Sequence, residues 1–294
     1  MSDLKVYLKQ QAKRVDQALK AELPKANVRP ATLHQAMRYS MFAGGKRLRP
    51  ILTIAAAEAC GGDPENSLPL GCAVECLHTY SLIHDDLPSM DDDDMRRGNP
   101  TCHKVYGEAI AVLAGDALQA FSFEMVSRAK ETKRYPVKSL LVELATTAGS
   151  HALIAGQVMD MEGEGRKLTK AQVVAIHERK TAALLTTSLR FGAMSANASA
   201  KQLDAITRFG VALGLAFQVI DDILDVTQSS EQLGKSAGKD EAVNKSTFPA
   251  LLGLKGSRKE AARLTATAHA ALAEIPLGKS RLAEIADHML KRDY

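Results

Sequence analysis

The sequence contains no tryptophan, and its phenylalanines and tyrosines make up only 4% of 294 residues. Alanine and leucine are plentiful instead, a balance that favours packed helices over sheets. Cysteine is scarce: Cys60, Cys72, Cys76 and Cys102 include no C-x-x-C spacing. That argues against a structural zinc site and reads as reduced, buried thiols of a cytosolic protein. No run approaches the roughly 20 apolar residues of a membrane span. The charged, amphipathic start MSDLKVYLKQQAKR also lacks the apolar segment of a signal peptide. A soluble, cytoplasmic protein without stable membrane insertion is expected. One-sided charge is missing too. Thirty-eight basic residues face 34 acidic ones, which leaves no dominant basic stripe for nucleic acid.

What is present is helical. Segments between Pro or Gly clusters carry apolar residues at helical spacing, such as Leu203, Ile206, Val211, Leu215, Val219, Ile220 and Leu224. Thr169 with Gln172, Ser199 with Gln202, and Ser257 with Glu260 read as capping boxes. Pro136 reads as a first-turn proline. Period-2 stretches bounded by hairpin turns are absent, and no linker separates domains. With 46% hydrophobic residues, the expectation is an all-α protein. A single large helical bundle over residues 1–294 is the expected architecture.

Two acidic clusters stand out: DDLPSMDDDD from Asp85 to Asp94, and DDILD with Asp221, Asp222 and Asp225. On a helix Asp221, Asp225 and Gln218 share a side, and Asp222 lies about 100° round. Carboxylates about 4 Å apart repel by about 4 kcal/mol at an effective dielectric near 20, so a cation should offset them. Asp85 and Asp91 would be about 120° out of line on a regular helix. Pro88 interrupts the geometry, and a bulge there brings Asp91 back towards Asp85. Carboxylates gathered without cysteine or abundant histidine suit Mg²⁺, which completes its shell with water and substrate phosphates. Either cluster alone reads as readily as a solvated helix end. Two clusters, each closing an apolar stretch (SLIHDD and FQVIDD), favour the metal.

Basic residues gather beside the acids: GGKRLRP (44–50), MRRG (95–98), RKT (179–181) and GKSAGKDEAVNKS (234–246). Metal bridging acid to phosphate, with cations gripping the free oxygens, fits a diphosphate. Gly44-Gly45 lets the backbone approach an anion closely. The segment is not a nucleotide P-loop, which needs G-x-x-x-x-G-K-[ST] after a strand.

These segments, with GDAL (115–118), GQVMD (156–160), KTAALL (180–185) and NKST, resemble the trans-isoprenyl diphosphate synthases. Within that family they are most similar to the bacterial farnesyl-forming enzymes, over residues 30 to 250. The resemblance implies a homodimeric, Mg²⁺-dependent prenyltransferase that condenses isopentenyl diphosphate with dimethylallyl and geranyl diphosphate. Asp85, Asp91 and Asp221 would be the direct metal ligands, supported by Asp86, Asp222 and Asp225. Arg96, Lys180, Lys235 and Lys245 would hold the allylic diphosphate, and Lys46, Arg49, His78 and Arg97 the isopentenyl one. Thr181, Gln218 and the Lys180 carbonyl would face the carbon where positive charge appears. Tyr80, followed by Ser81, stands five residues before the first aspartate, where such enzymes carry the aromatic that stops elongation. By helical geometry Ser81 lies more squarely beneath Asp85, so the role of Tyr80 is carried by the resemblance. The chain departs from the pattern at its end, where Asp293 and Tyr294 follow the basic pair Lys291-Arg292 that would close over isopentenyl diphosphate. Rival readings are a geranylgeranyl diphosphate synthase, a terpene cyclase, and a non-catalytic subunit of a heteromeric synthase. Tyr80 weighs against the first, GGKRLRP with Arg97 against the second, and two intact acidic motifs against the third.

Overall fold

The computed structural model describes residues 3–227, 246–276 and 280–290. Among the described residues the chain runs through α1 (Asp3–Glu22), α2 (Ala31–Phe42), α3 (Leu48–Ala59), α4 (Pro64–Asp85), α5 (Cys102–Tyr106) and α6 (Glu108–Ser127). It continues with α7 (Val137–Ala148), α8 (Leu153–Gly163), α9 (Lys170–His177), a π-helical turn (Glu178–Ala182), α10 (Ala183–Ser195) and α11 (Ala200–Thr227). Helices α12 (Phe248–Leu272) and α13 (Leu282–Leu290) follow. The fold is all-α, as composition and periodicity imply. Among the described residues the one departure is a two-residue antiparallel ribbon, Met95–Arg96 against Asn99–Pro100, turned by Arg97 and Gly98 at positive φ. Two left-handed residues in succession suit the right-handed twist of such a ribbon.

The buried apolar residues form two clusters. One gathers around α11 with Ile206, Phe209, Leu213, Phe248 and Ile285. The other gathers around α4 and α6 with Leu70, Leu77, Leu118, Met125 and Phe191. Helices α3 and α10 belong to both, through Ile51 and Leu189 on one side and Ile54 and Leu184 on the other. They join the helix carrying the first acidic motif to the helix carrying the second.

Two capping boxes form as expected, at Thr169 with Gln172 and at Ser199 with Gln202. The third does not. Ser257 lies inside α12, its hydroxyl bonded back to the Gly253 carbonyl, and Thr247 caps that helix instead. Gly253 adopts φ 66°, kinking α12 one turn before Ser257. Pro136 is the residue just before α7 rather than part of its first turn. All four cysteines are free, with Cys60 only partly buried. Burial pushes the Cys60 thiol up to about 11, so it stays protonated. The expected lack of long apolar segments has one exception among the described residues. Helix α6 is long and apolar enough to cross a membrane, with mean hydropathy 1.4. Ala111, Ala114, Gly115 and Leu118 bury one of its faces in the bundle.

Candidate active site

Helix α4 stops at Asp85, three residues before Pro88, and the chain then winds back on itself. The Asp91 N–H donates to the Asp85 carbonyl at 2.9 Å, and the Asp93 N–H to the Asp86 carbonyl at 3.3 Å. Asp91 is thereby returned to Asp85, as the proline requires. Asp86 turns inward, 3% exposed, and accepts from Arg96 Nε at 2.7 and 2.8 Å. Asp85 has no such partner. Burial, opposed by Lys180 and Arg96 and reinforced by Asp91 and Asp86, pushes its carboxyl up to about 6.

The π-helical turn builds the opposite wall. Its wider winding displaces Lys180 and Thr181 from regular helical positions. Gly156 of α8 sits against this turn so closely that a Cβ would stand 2.3 Å from the Lys180 backbone nitrogen. One turn on from Gly156, Asp160 receives Lys180 Nζ at 2.6 Å. Thr181 Oγ1 donates to Gln218 Oε1 at 3.0 Å, and Gln218 Nε2 donates to Asp222 Oδ1 at 3.1 Å. The other Asp222 oxygen accepts the Phe248 N–H at 3.0 Å, with His177 Nε2 3.6 Å away. Lys180, Thr181 and Gln218 thus line one cavity of about 190 Å³ together with Asp160, His177 and Asp222. Asp221 and Asp225 lie half-buried along the same helix.

A second cavity, about 560 Å³, is cationic. Lys46, Arg49, His78 and Arg97 line it with Arg47, Glu75 and Phe217. The Arg47 guanidinium is buried against Asp16 at 2.7 Å and Glu75 at 3.0 Å, so it braces the wall. Arg49 differs. Burial, opposed by Glu75 and helped by Arg97, lowers its guanidinium to about 10, and its Nε is buried without a hydrogen-bond partner. Burial, followed by the charges of Arg49 and Arg97, holds His78 well below the usual imidazole range. Gly45 serves Arg97 rather than the anion directly. With φ 127° and no side chain, it leaves room for a guanidinium nitrogen that would be 2.5 Å from a Cβ there, and Arg97 bonds the Gly44 carbonyl.

Other predicted residues are placed differently. Arg96 commits its guanidinium to Asp86. Ser81 bonds the His78 carbonyl at 2.9 Å, while Tyr80 is buried with its ring edge-on to His84. Lys235, Lys245, Lys291 and Arg292 lie outside the described residues. Asp160 and His177 escaped the sequence reading. Asp160 closes the GQVMD segment, four residues after the glycine that seats the π turn, and His177 precedes Lys180 by three.

Among the described residues, the group of three ligand-type side chains within 4.8 Å is Asp92, Asp94 and His103, not the expected trio. Lys104 Nζ already neutralises Asp94 at 2.7 Å. Asp85 and Asp91, joined by the backbone bond between them, lie outside that group. Both are hard oxygen donors, and burial, the main cause of the raised Asp85 carboxyl, makes its ionised form one that a nearby cation would favour.

The polyprenyl synthetase family profile matches residues 30–275. The chain is 44% identical to the farnesyl diphosphate synthase of Geobacillus stearothermophilus over 290 residues, 98% of this chain and 97% of that one. It is 46% identical to a chloroplastic geranylgeranyl pyrophosphate synthase of Capsicum annuum over 294 residues, 99% of this chain and 79% of the relative. The solved geranylgeranyl pyrophosphate synthetase of Pyrococcus horikoshii superposes with a TM-score of 0.90 at 28% identity, covering 98% of both chains. The chain belongs to the polyprenyl synthetase family and is a prenyltransferase.

Proposed function

We propose that this polyprenyl synthetase condenses isopentenyl diphosphate head-to-tail with dimethylallyl and then geranyl diphosphate, releasing pyrophosphate and stopping at farnesyl diphosphate. One observation carries the reading: two unlike cavities meet at consecutive residues of α11, Phe217 in the cationic one and Gln218 in the acidic one. A nucleophile that keeps its diphosphate and an electrophile that loses it need such separate seats. Lys46, Arg49 and Arg97 suit the retained diphosphate, and the unpartnered Arg49 Nε gains an acceptor when it binds. His78, held neutral, supplies one further N–H donor.

Asp85, Asp91 and Asp221 would hold Mg²⁺, which when bound offsets the charge of the departing pyrophosphate. As the allylic C–O bond breaks, Lys180, together with Lys235 and Lys245, grips the leaving oxygens. Positive charge then develops on the allylic carbon. Thr181 Oγ1 and Gln218 Oε1, held to each other at 3.0 Å, present fixed negative dipoles to it. The isopentenyl double bond attacks that carbon, and a proton passes to the released pyrophosphate.

Tyr80 supports a C15 stop. Overall identity does not separate the farnesyl reading from the geranylgeranyl one, because relatives of both kinds match similarly. The reading takes residues 1–294 as one catalytic unit in a soluble, cytoplasmic homodimer. Val112, Leu113, Val142, Ile154, Val158 and Met161 all stand exposed on consecutive helices α6, α7 and α8, a face that a second copy would cover. Sedimentation velocity checks the dimer, and a monomer at micromolar concentration would discard it.

The direct test supplies purified protein with Mg²⁺, isopentenyl diphosphate and either allylic primer, with an EDTA control. A C15 product that vanishes with EDTA is expected. A C20 product from the wild type keeps the enzyme class and overturns Tyr80 as the stop. Absence of product from both primers overturns the reading.

A further inference from the structure

The GDAL segment has no part in either cavity, yet it meets the residue beside Tyr80. His84 follows Tyr80 by one turn of α4, and their rings pack edge-on with centroids 5.1 Å apart and an interplanar angle of 79°. The imidazole reaches across to α6, where Nε2 lies 3.0 Å from the Val112 carbonyl and 3.9 Å from Asp116 Oδ1. With Nε2 protonated, it donates to that carbonyl. Gly115 is what admits the ring. A Cβ at 115 would stand 2.2 Å from Nε2 and 2.4 Å from Cδ2 of His84. Real contacts are never so short, and the imidazole is the movable partner.

We propose that Gly115 and His84 form a brace that fixes the Tyr80 ring, and so help to set product length without touching either diphosphate or the metal. The inference rests on the reading of Tyr80 as the stop. A side chain at 115 displaces the imidazole, the edge contact is lost, and the phenol ring is free to swing out of the path of a growing chain. Gly115 and His84 are therefore positioning residues for specificity. Each acts through Tyr80, and Gly115 acts through His84.

The experiment measures the C20:C15 ratio with geranyl diphosphate and excess isopentenyl diphosphate for Tyr80→Ala, His84→Ala, His84→Phe, Gly115→Ala and the His84→Ala/Gly115→Ala double variant. Tyr80→Ala sets the ceiling. His84→Ala and Gly115→Ala should each raise the ratio by about two- to ten-fold, the scale of a lost aromatic pair. His84→Phe, which keeps a ring against Tyr80, should restore it towards the wild-type value. The double variant should go no further than His84→Ala alone. If Tyr80→Ala lengthens the product while His84→Ala leaves the ratio unchanged, the brace is overturned and Tyr80 stands. If Tyr80→Ala itself changes nothing, the stop fails first and takes the brace with it. A general loss of packing would lower the rate without moving the ratio, which also overturns the brace. Should Gly115→Ala not fold, the His84 pair of variants decides the question.

Discussion

At Asp85 the helix stops and the chain curls back, whereas at Asp221 the helix continues to Thr227. Beneath that difference both motifs divide their labour alike. The second aspartate of each pair is 3% exposed and spoken for: Asp86 by Arg96, Asp222 by the Phe248 N–H and the Gln218 amide. The first stands less buried at the cleft. Adjacent identical residues thus take different positions, because about 100° of helical rotation turns one towards the cleft and the other into the wall. The braces differ in kind. The first motif uses a cation delivered by the two-residue ribbon, and the second uses neutral donors from α11 and from the start of α12.

The largest effect should separate the presenting aspartates from the bracing ones. Asp85→Asn and Asp221→Asn are each expected to lower kcat by about 10²–10³-fold, the scale of losing a group that stabilises transition-state charge. Their Tm should hardly fall. Asp86→Asn and Asp222→Asn should cost about 10–100-fold, as for residues that orient ligands from behind, and should lower Tm as well. Steady-state kinetics beside thermal melts checks both halves. Equal kcat losses and equal melts for all four would erase the division.

The next effect distinguishes the two braces. Asp222→Ala strands the Phe248 N–H, a buried donor, and should cost about 1–3 kcal/mol in urea unfolding. Asp86→Ala should cost less. The Arg96 side chain is 31% exposed, with Asp93 at 3.8 Å, so the freed guanidinium rehydrates and finds another acid. A larger loss at Asp86 would mean that the ion pair, rather than the backbone bond, is the stronger brace.

The motifs were unequally legible in the sequence. Helical class, both acidic clusters and the return of Asp91 follow from local rules, since periodicity and a single proline suffice. Lys46, Arg49, His78 and Arg97 were named from a family likeness, and only the fold brings residues from α3, α4 and the ribbon around one cavity. Asp160 and His177 were missed because their roles exist only across helices. Nothing near Asp160 in the chain says that Lys180 will be its partner 20 residues on. The Ser257 box failed for the opposite reason. Its local pattern was sound, but Gly253 lies a turn earlier, and Glu260 is taken by Lys170 at 3.1 Å and Arg263 at 2.8 Å.

The smallest effect probes the first motif alone. The folded protein holds the Asp85 carboxyl at about 6, against an ordinary 3.8. Between those values the folded state binds more protons at this site than the unfolded chain does. Unfolding free energy therefore falls as pH rises through the window, and the penalty is complete above about 6. In Mg²⁺-free buffer the wild type minus Asp85→Asn difference in Tm should accordingly decline from pH 4 to 6 and then level off. Added Mg²⁺ should reverse the sign. Binding requires the ionised carboxylate, so the Mg²⁺-induced rise in Tm should grow through the same window and be much smaller in Asp85→Asn. A difference curve that is flat without metal would mean that Asp85 is solvated, with no uncompensated charge waiting at the first motif.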